Sequence, residues 1–405
     1  MKFLKTVSLG KASSLLNEAV RLPRQVEYVA PEEAFGRYLF EDIVSDAFVP
    51  YYNRSTVDGY AVISLATQGA SDSVPVVLNN QGAVSIGHLV DGVLTPESTR
   101  YVPTGGMVPA GADAMVMIED TQTLDDLVLI QKPASAGSNL VLKGEDVSPG
   151  QVVLSAGKRL KAQDIGILVS LNIRRVPVYA PLRVFIISTG DEFAGPEEAL
   201  TDGKIYDINT YTIGALAKDA GFSVSGTLLV ADDLTAIEQA ISQGVEAADL
   251  VLLSGGSSAG EHDYTKLAIE NLGGEILFHG IRLKPGKPTI GAHIGDTPVI
   301  GLPGHPVSAM MVFQTMVLDY FIKNTGCRFE RQTVKARTTV NFPSVPGRVT
   351  CQFLTLKETP TELLCQPYYS NSALISQLTN AQGYTMIAEE TEGLDKGTIV
   401  DVILL

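Results

Sequence analysis

The stretch Asp249-Leu-Val-Leu-Leu-Ser-Gly-Gly-Ser-Ser-Ala-Gly-Glu-His-Asp263 decides how this chain is read. Its apolar run, Leu250 to Leu253, stops at Ser254 and gives way to glycines, hydroxyls and then an acidic segment that opens a helical pattern. A short apolar run bounded by turn residues marks a buried strand. A glycine-rich turn passing from strand to helix offers free backbone N–H groups and the positive end of a helix dipole, which suits a phosphate or another anion. Asp263 stands where a carboxylate could hold hydrated Mg²⁺ against that phosphate. From this stretch alone an ordinary βα turn with an N-cap reads equally well, so the neighbouring loops must decide.

The same grammar recurs on both sides. Arg183 to Ile187 is an apolar strand ending in Ser188-Thr-Gly-Asp191-Glu192. Asn209 is expected to cap a helix that Gly221 ends. A strand over Ser223 to Val230 leads through Asp232-Asp233 into a helix over Leu234 to Val245. After the opening stretch come a helix, Tyr264 to Leu272, and a strand, Ile276 to Phe278. Pro298 to Leu302 feeds Pro303-Gly-His305-Pro306 and an apolar helix, Val307 to Ile322. Strands alternating with helices predict a doubly wound, mainly parallel sheet over residues 181–328. The loops at 188–192, 254–263 and 303–306 all follow strands and therefore gather at the carboxyl edge, where such folds bind ligands. Between them lies Arg282-Leu-Lys284-Pro-Gly-Lys287-Pro288, with two lysines on a proline-stiffened turn.

The rest of the chain is more mixed. Residues 1–45 and 142–180 read as one mixed α/β N-terminal domain. It holds helices at Ser13 to Val20, Pro31 to Leu39 and Asp164 to Leu171 (with Asp164 as N-cap), and strands at Val26 to Val29 and Gln151 to Leu154. Residues 46–141 read as an inserted β-rich domain, with strands at Val74 to Leu78, Ala83 to Ile86, Ala114 to Ile118 and Leu127 to Ile130. Two polar turns stand out there: Asp58-Gly59, a good turn dipeptide bracketed by tyrosines, and Thr104 beside Gly105-Gly106. Residues 329–405 read as a small C-terminal β domain with strands at Thr333 to Val340, Thr350 to Leu356, Leu363 to Pro367 and Ile399 to Leu404. Arg348 and Ser372 lie in its polar loops. The fold class is therefore multidomain α/β.

Composition excludes several functions. At roughly 100–200 residues per domain, 405 residues make two to four domains. A net charge of −15 without a basic run argues against nucleic acid, whose binding needs clustered Lys and Arg. No apolar stretch approaches the roughly 18 residues of a membrane span, and the N-terminus lacks a secretory h-region. Cys327, Cys351 and Cys365 fit neither a zinc spacing nor a disulfide framework, so reduced thiols in a cytoplasmic protein are expected. The five histidines show no paired metal-ligand spacing.

Eight segments resemble, in order, the MoeA/gephyrin E-domain family, the molybdopterin molybdenumtransferases. They are PYYNRSTVDGYAV (50–62), PTGGMVPAGADAMVMIED (103–120), GEDVSPG (144–150), STGDE (188–192), GKIYDIN (203–209), LLSGGSSAGEHDYTK (252–266), LKPGKP (283–288) and GLPGHPVSA (301–309). The resemblance covers nearly the whole chain. It implies four subdomains, an elongated homodimer, and a molybdopterin-binding α/β domain. It also implies a reaction in which adenylated molybdopterin and molybdate give molybdenum cofactor and AMP with Mg²⁺. The adenylating molybdopterin protein and acceptor molybdoenzymes are the further partners it suggests.

Residue by residue, the resemblance implies substrate loops at Ser188, Thr189 and Gly190, at Ser254, Gly255, Gly256, Ser258 and Gly260, and at Pro303 and Gly304. Asp58, Thr104, Glu192, Asp232 and Asp263 are the implied catalytic set, with Glu192 and Asp263 on Mg²⁺. Lys284, Lys287, Pro288, Arg348 and Ser372 are the implied molybdate site. Two lysines on a rigid turn suit a tetrahedral oxyanion, although a plain surface KPGK turn would look the same out of context. Where the family reads Asn-Ile-Arg before GED, this chain has Asn139-Leu140-Val141, which removes a charge-assisted donor, with Lys143 nearby. His305, Ala373 and Ile208 are further departures. Two rivals follow: a weakened, gephyrin-like binding scaffold, and a serine hydrolase on Gly256-Ser-Ser258-Ala-Gly260 with Asp263 or Asp296 and His305.

Overall fold

The apolar strands of the second half pair into one six-stranded sheet in a computed structural model that describes residues 6–195, 197–255, 263–368 and 373–405. The strand order is Ser223–Val230, Arg183–Thr189, Leu250–Ser254, Thr297–Leu302, Ile290–Ile294, Glu275–His279. The first three pairings are parallel, and the last two form an antiparallel edge. Strand residues alternate between two faces, and both faces are covered. Val184, Ile186, Leu250 and Leu252 pack with Ile213 and Ala217 of the helix Asn209–Asp219 and with the helical segment that starts at Pro306. Phe185, Ile187, Val251 and Leu253 pack with Ile237, Ile241 and Ile269 of the helices Leu234–Ala247 and Tyr264–Asn271. The strand Ile290–Ile294, next to the edge strand, was not expected, because Gly291, Ala292 and His293 dilute its apolar signal.

The first 180 residues divide where their strands pair. Val26–Val29 runs antiparallel to Val176–Tyr179, and Ile43–Val44 to Val152–Leu154, around a core that includes Leu39, Leu160 and Leu168. Between these two halves of sequence lies a separate six-stranded sheet, built from Gly59–Val62, Val76–Ala83, Ser98–Val102, Ala114–Met117, Thr121–Leu124 and Leu127–Ile130.

Three local expectations differ from what forms. The helix read over Pro31 to Leu39 is a single 3₁₀ turn, Pro31–Glu33, because the chain turns left-handed at Gly36. The strand read over Ala83 to Ile86 is instead the end of Val76–Ala83, which runs straight through the polar Asn79-Asn80. Asp164 is not the N-cap but the third residue of the helix Ala162–Ser170. There it accepts the Lys161 N–H at 2.8 Å and pairs with Lys158 Nζ at 2.6 Å.

The C-terminal strands Val349–Glu358, Leu363–Pro367, Thr333–Thr338, Ile399–Leu404 and Gly383–Ile387 pair in a closed cycle, a small barrel. Closure leaves few free edges. The segment Leu283–Lys284 joins this barrel in parallel with Val349 and Thr350, although it belongs in sequence to the α/β half.

Candidate active site

Three neighbouring parallel strands end side by side, and their ends form the floor of a cleft. Ser188 and Ser254 are 1% and 2% exposed and lie just beneath it, while Thr189, Gly190, Gly255, Pro303 and Gly304 line it. At Gly255 φ is +101°, and any Cβ would collide with the Thr189 carbonyl, so only glycine fits. Asn209 ties two of the strand ends together. Its Nδ2 donates to Ser254 Oγ at 2.6 Å and to the Gly304 carbonyl at 2.7 Å. Its Oδ1 has no partner among the described residues. The expected capping role of Asn209 is thus replaced: Ile208 is the N-cap residue, and Asp207 accepts the Thr210 N–H at 3.2 Å.

The same cleft is lined by cations. Lys284 and Lys287 line the cleft from the turn at 284–288, which begins with a cis Lys284–Pro285 peptide, and Pro288 lines it with them. The barrel supplies Arg348, Gln352 and Tyr368 to the other wall. The open cleft has a volume of about 780 Å³, within the range that holds a whole organic ligand. Glu192 and Asp232 face the same space; Asp232 accepts the Thr189 hydroxyl at 3.3 Å and its N–H donates to Asp191 at 3.1 Å.

Other expected site residues lie elsewhere. Asp58 and Thr104 form one unit, the Thr104 N–H donating to Asp58 Oδ1 at 2.8 Å, but they sit on the β-rich domain and do not line the cleft. Close by, Val141 is the cross-strand partner of Arg54, so a guanidinium stands opposite the position where one is lacking. Gly256, Ser258, Gly260 and Ser372 lie outside the described residues.

Asp263 is not an open carboxylate on the cleft wall. Its Oδ1 caps the helix Tyr264–Asn271 by accepting the Lys266 N–H at 3.1 Å, and its Oδ2 faces His279 Nε2 at 3.1 Å without hydrogen-bond geometry. Burial raises the Asp263 pKa and lowers that of His279. Both shifts oppose the charged pair. The hydrolase reading took Asp263 or Asp296 as the partner of His305; Asp263 is turned to His279 instead. Sequence reasoning missed His279, whose only local signal is its place at the end of an edge strand.

Among the described residues no three His, Cys, Asp or Glu side chains converge on a metal-sized site. Mg²⁺ is commonly held by one or two carboxylates together with substrate phosphates. Glu192 and Asp232 in a glycine-floored cleft fit that mode, and Asp263 as placed does not.

The fold and cleft define a multidomain α/β protein with a cleft, lined by lysines, an arginine and glycines, between its doubly wound domain and its C-terminal barrel. The chain belongs to the MoeA family. Residues 7–172 match the MoeA N-terminal region (domain I and II), residues 185–323 the "Probable molybdopterin binding domain", and residues 335–405 the MoeA C-terminal region (domain IV). A Haemophilus influenzae protein named molybdopterin molybdenumtransferase is 31% identical over 98% of this chain and 98% of its own. A Methanocaldococcus jannaschii protein, provisionally named for molybdopterin biosynthesis, is 34% identical over 100% and 98%. The crystal structure of a molybdopterin biosynthesis MoeA protein from Pyrococcus horikosii is similar with a TM-score of 0.81 at 33% identity, covering 99% of each chain.

Proposed function

We propose that this chain is a molybdopterin molybdenumtransferase that inserts molybdate into adenylated molybdopterin and releases AMP. The observation that carries this reading is one cleft lined both by Lys284, Lys287 and Arg348 and by glycine-floored strand ends. Molybdate and the pyrophosphate link of the adenylate are both anions, and the cleft carries donors suited to each. Three side-chain cations hold the tetrahedral oxyanion through charge-assisted hydrogen bonds. Gly190, Gly255 and Gly304 leave no side chain between the backbone and a phosphate.

Glu192 and Asp232 would hold Mg²⁺ with that phosphate. When bound, the ion supplies charge neutralisation at the bridging phosphate, which makes AMP a better leaving group. The protein's own share is positioning: the lysine turn fixes the oxyanion, and the floor fixes the phosphate. No covalent nucleophile is required. The reading includes a homodimer in which the Asp58–Thr104 unit of one chain approaches the cleft of the other.

The test is AMP release and molybdenum incorporation from adenylated molybdopterin, molybdate and Mg²⁺. Wild type should turn over, and Lys287→Ala should lose roughly tenfold to a hundredfold in kcat/KM, the worth of a hydrogen bond to a charged group. Asp232→Ala should show a weakened Mg²⁺ dependence. Pterin binding without turnover, restored by Val141→Arg, would instead favour the scaffold reading. No pterin binding by wild type would end the proposal.

A further inference from the structure

Resting on that function, we propose that Tyr368 of the barrel is a stacking platform for one of the two planar heterocycles of the substrate. The cleft has two unlike walls. The α/β side presents glycines and carboxylates, suited to phosphate and a divalent ion. The barrel side presents Tyr368, Gln352 and Pro343 around Arg348, with Phe353 and Cys351 set behind them. An oxyanion and a phosphate would not fill about 780 Å³, and among the described residues the α/β side lines the cleft with glycines, prolines, aliphatic side chains, carboxylates and His305, while the phenyl-type rings come from the barrel.

The platform is firmly seated. Tyr368 follows directly on the strand Leu363–Pro367, is half-buried, and packs against the main apolar core. Its N–H donates to the Phe353 carbonyl at 2.7 Å. Phe353 is 5% exposed and packs against Tyr384, ring centroids 6.3 Å apart. A tyrosine ring with few rotatable bonds, backed by a second aromatic layer, loses little freedom on binding. Arg348, which lines the same cleft, adds a cation for the ligand that would stack.

Either the pterin or the adenine could be the ring that stacks, and both arms are testable with the full chain. Titrate wild type, Tyr368→Ala and Tyr368→Phe with AMP, with a 6-substituted pterin monophosphate and with inorganic molybdate, by calorimetry and by the absorbance loss that accompanies stacking. Tyr368→Ala should weaken one heterocyclic ligand on the order of tenfold or more and abolish its absorbance change. Tyr368→Phe should recover both, and molybdate affinity should stay within about twofold of wild type. The ligand that loses affinity names the ring. Unchanged binding of both heterocycles by Tyr368→Ala overturns the platform while leaving the function intact. Equal loss of molybdate overturns it as well, since the wall would then have collapsed. Wild type that binds neither heterocycle overturns the function and the platform together.

Discussion

Lys284 lies in register with Thr350, so a lysine of the α/β half is hydrogen-bonded into the sheet of the C-terminal barrel. The residue before this ladder is held from two sides. The Arg282 N–H donates to the Val7 carbonyl at 2.8 Å, and the Arg282 carbonyl accepts the Val349 N–H at 2.9 Å. Its side chain faces Glu389 of the barrel, Nε to Oε2 at 3.3 Å. The lysine turn is therefore not a surface loop. It is a rigid strut that sets the spacing between Lys284, Lys287 and Arg348.

The strut makes Gly286 a sensitive position. Gly286 has φ of +130°, and an added Cβ would lie 2.8 Å from a Val312 methyl and 2.9 Å from a Leu283 methyl. Gly286→Ala should raise KM for the oxyanion by roughly tenfold while circular dichroism stays native, because the turn must shift but the ladder remains. An unaltered KM would show that the turn tolerates displacement.

Asn209 joins the strand ends beneath the substrate. Its side chain is buried, and Asn209→Ala leaves Ser254 and the Gly304 carbonyl without their shared donor. Denaturant unfolding should show a loss of about 1–3 kcal/mol. Activity should fall further than stability alone explains, since the floor loosens. Asn209→Asp keeps the shape but loses the donor, and it should behave like the alanine variant.

Alkaline pH should destabilise the protein. Burial pushes the thiols of Cys327 and Cys365 up to about 11 and that of Cys351 up to about 12, from an ordinary thiol value of 9.0. A folded-state pKa above the unfolded value means the folded state holds the proton more tightly. That contribution is complete below pH 9 and is lost as pH rises through 11 to 12. The urea midpoint should therefore fall between pH 8.5 and 10.5, and Cys351→Ala should flatten the fall. A midpoint that holds steady or rises would contradict the buried, protonated thiols.

Much of this molecule was legible because the sheet at its centre is covered on both faces. Strands such as Arg183–Thr189 and Leu250–Ser254 show unbroken apolar runs, and their glycine-rich ends point to the floor of the cleft. Legibility failed where a contact joins distant parts of the chain. Nothing local to Leu283–Lys284 announces a partner at Val349–Thr350, and nothing near Asp263 announces His279. Asn209 was misread for a related reason: its helix-start signal is real, but the amide is drawn to Gly304, 95 residues away. Tyr368 gave no signal at all, because the pair Tyr368-Tyr369 after a short strand does not tell which ring, if either, faces a cleft.

The apolar layer shared by the two halves has a further consequence. Cys351, Phe353 and Tyr384 of the barrel belong to the same core as Leu283, Val312 and Phe313 of the α/β half. A chain severed between residues 328 and 333 would leave one fragment with a bare strand edge and the other with a bare apolar face. Each fragment would be the natural ligand of the other. Mixing them should rebuild the cleft in a concentration-dependent way, so that the molecule reports its own reassembly.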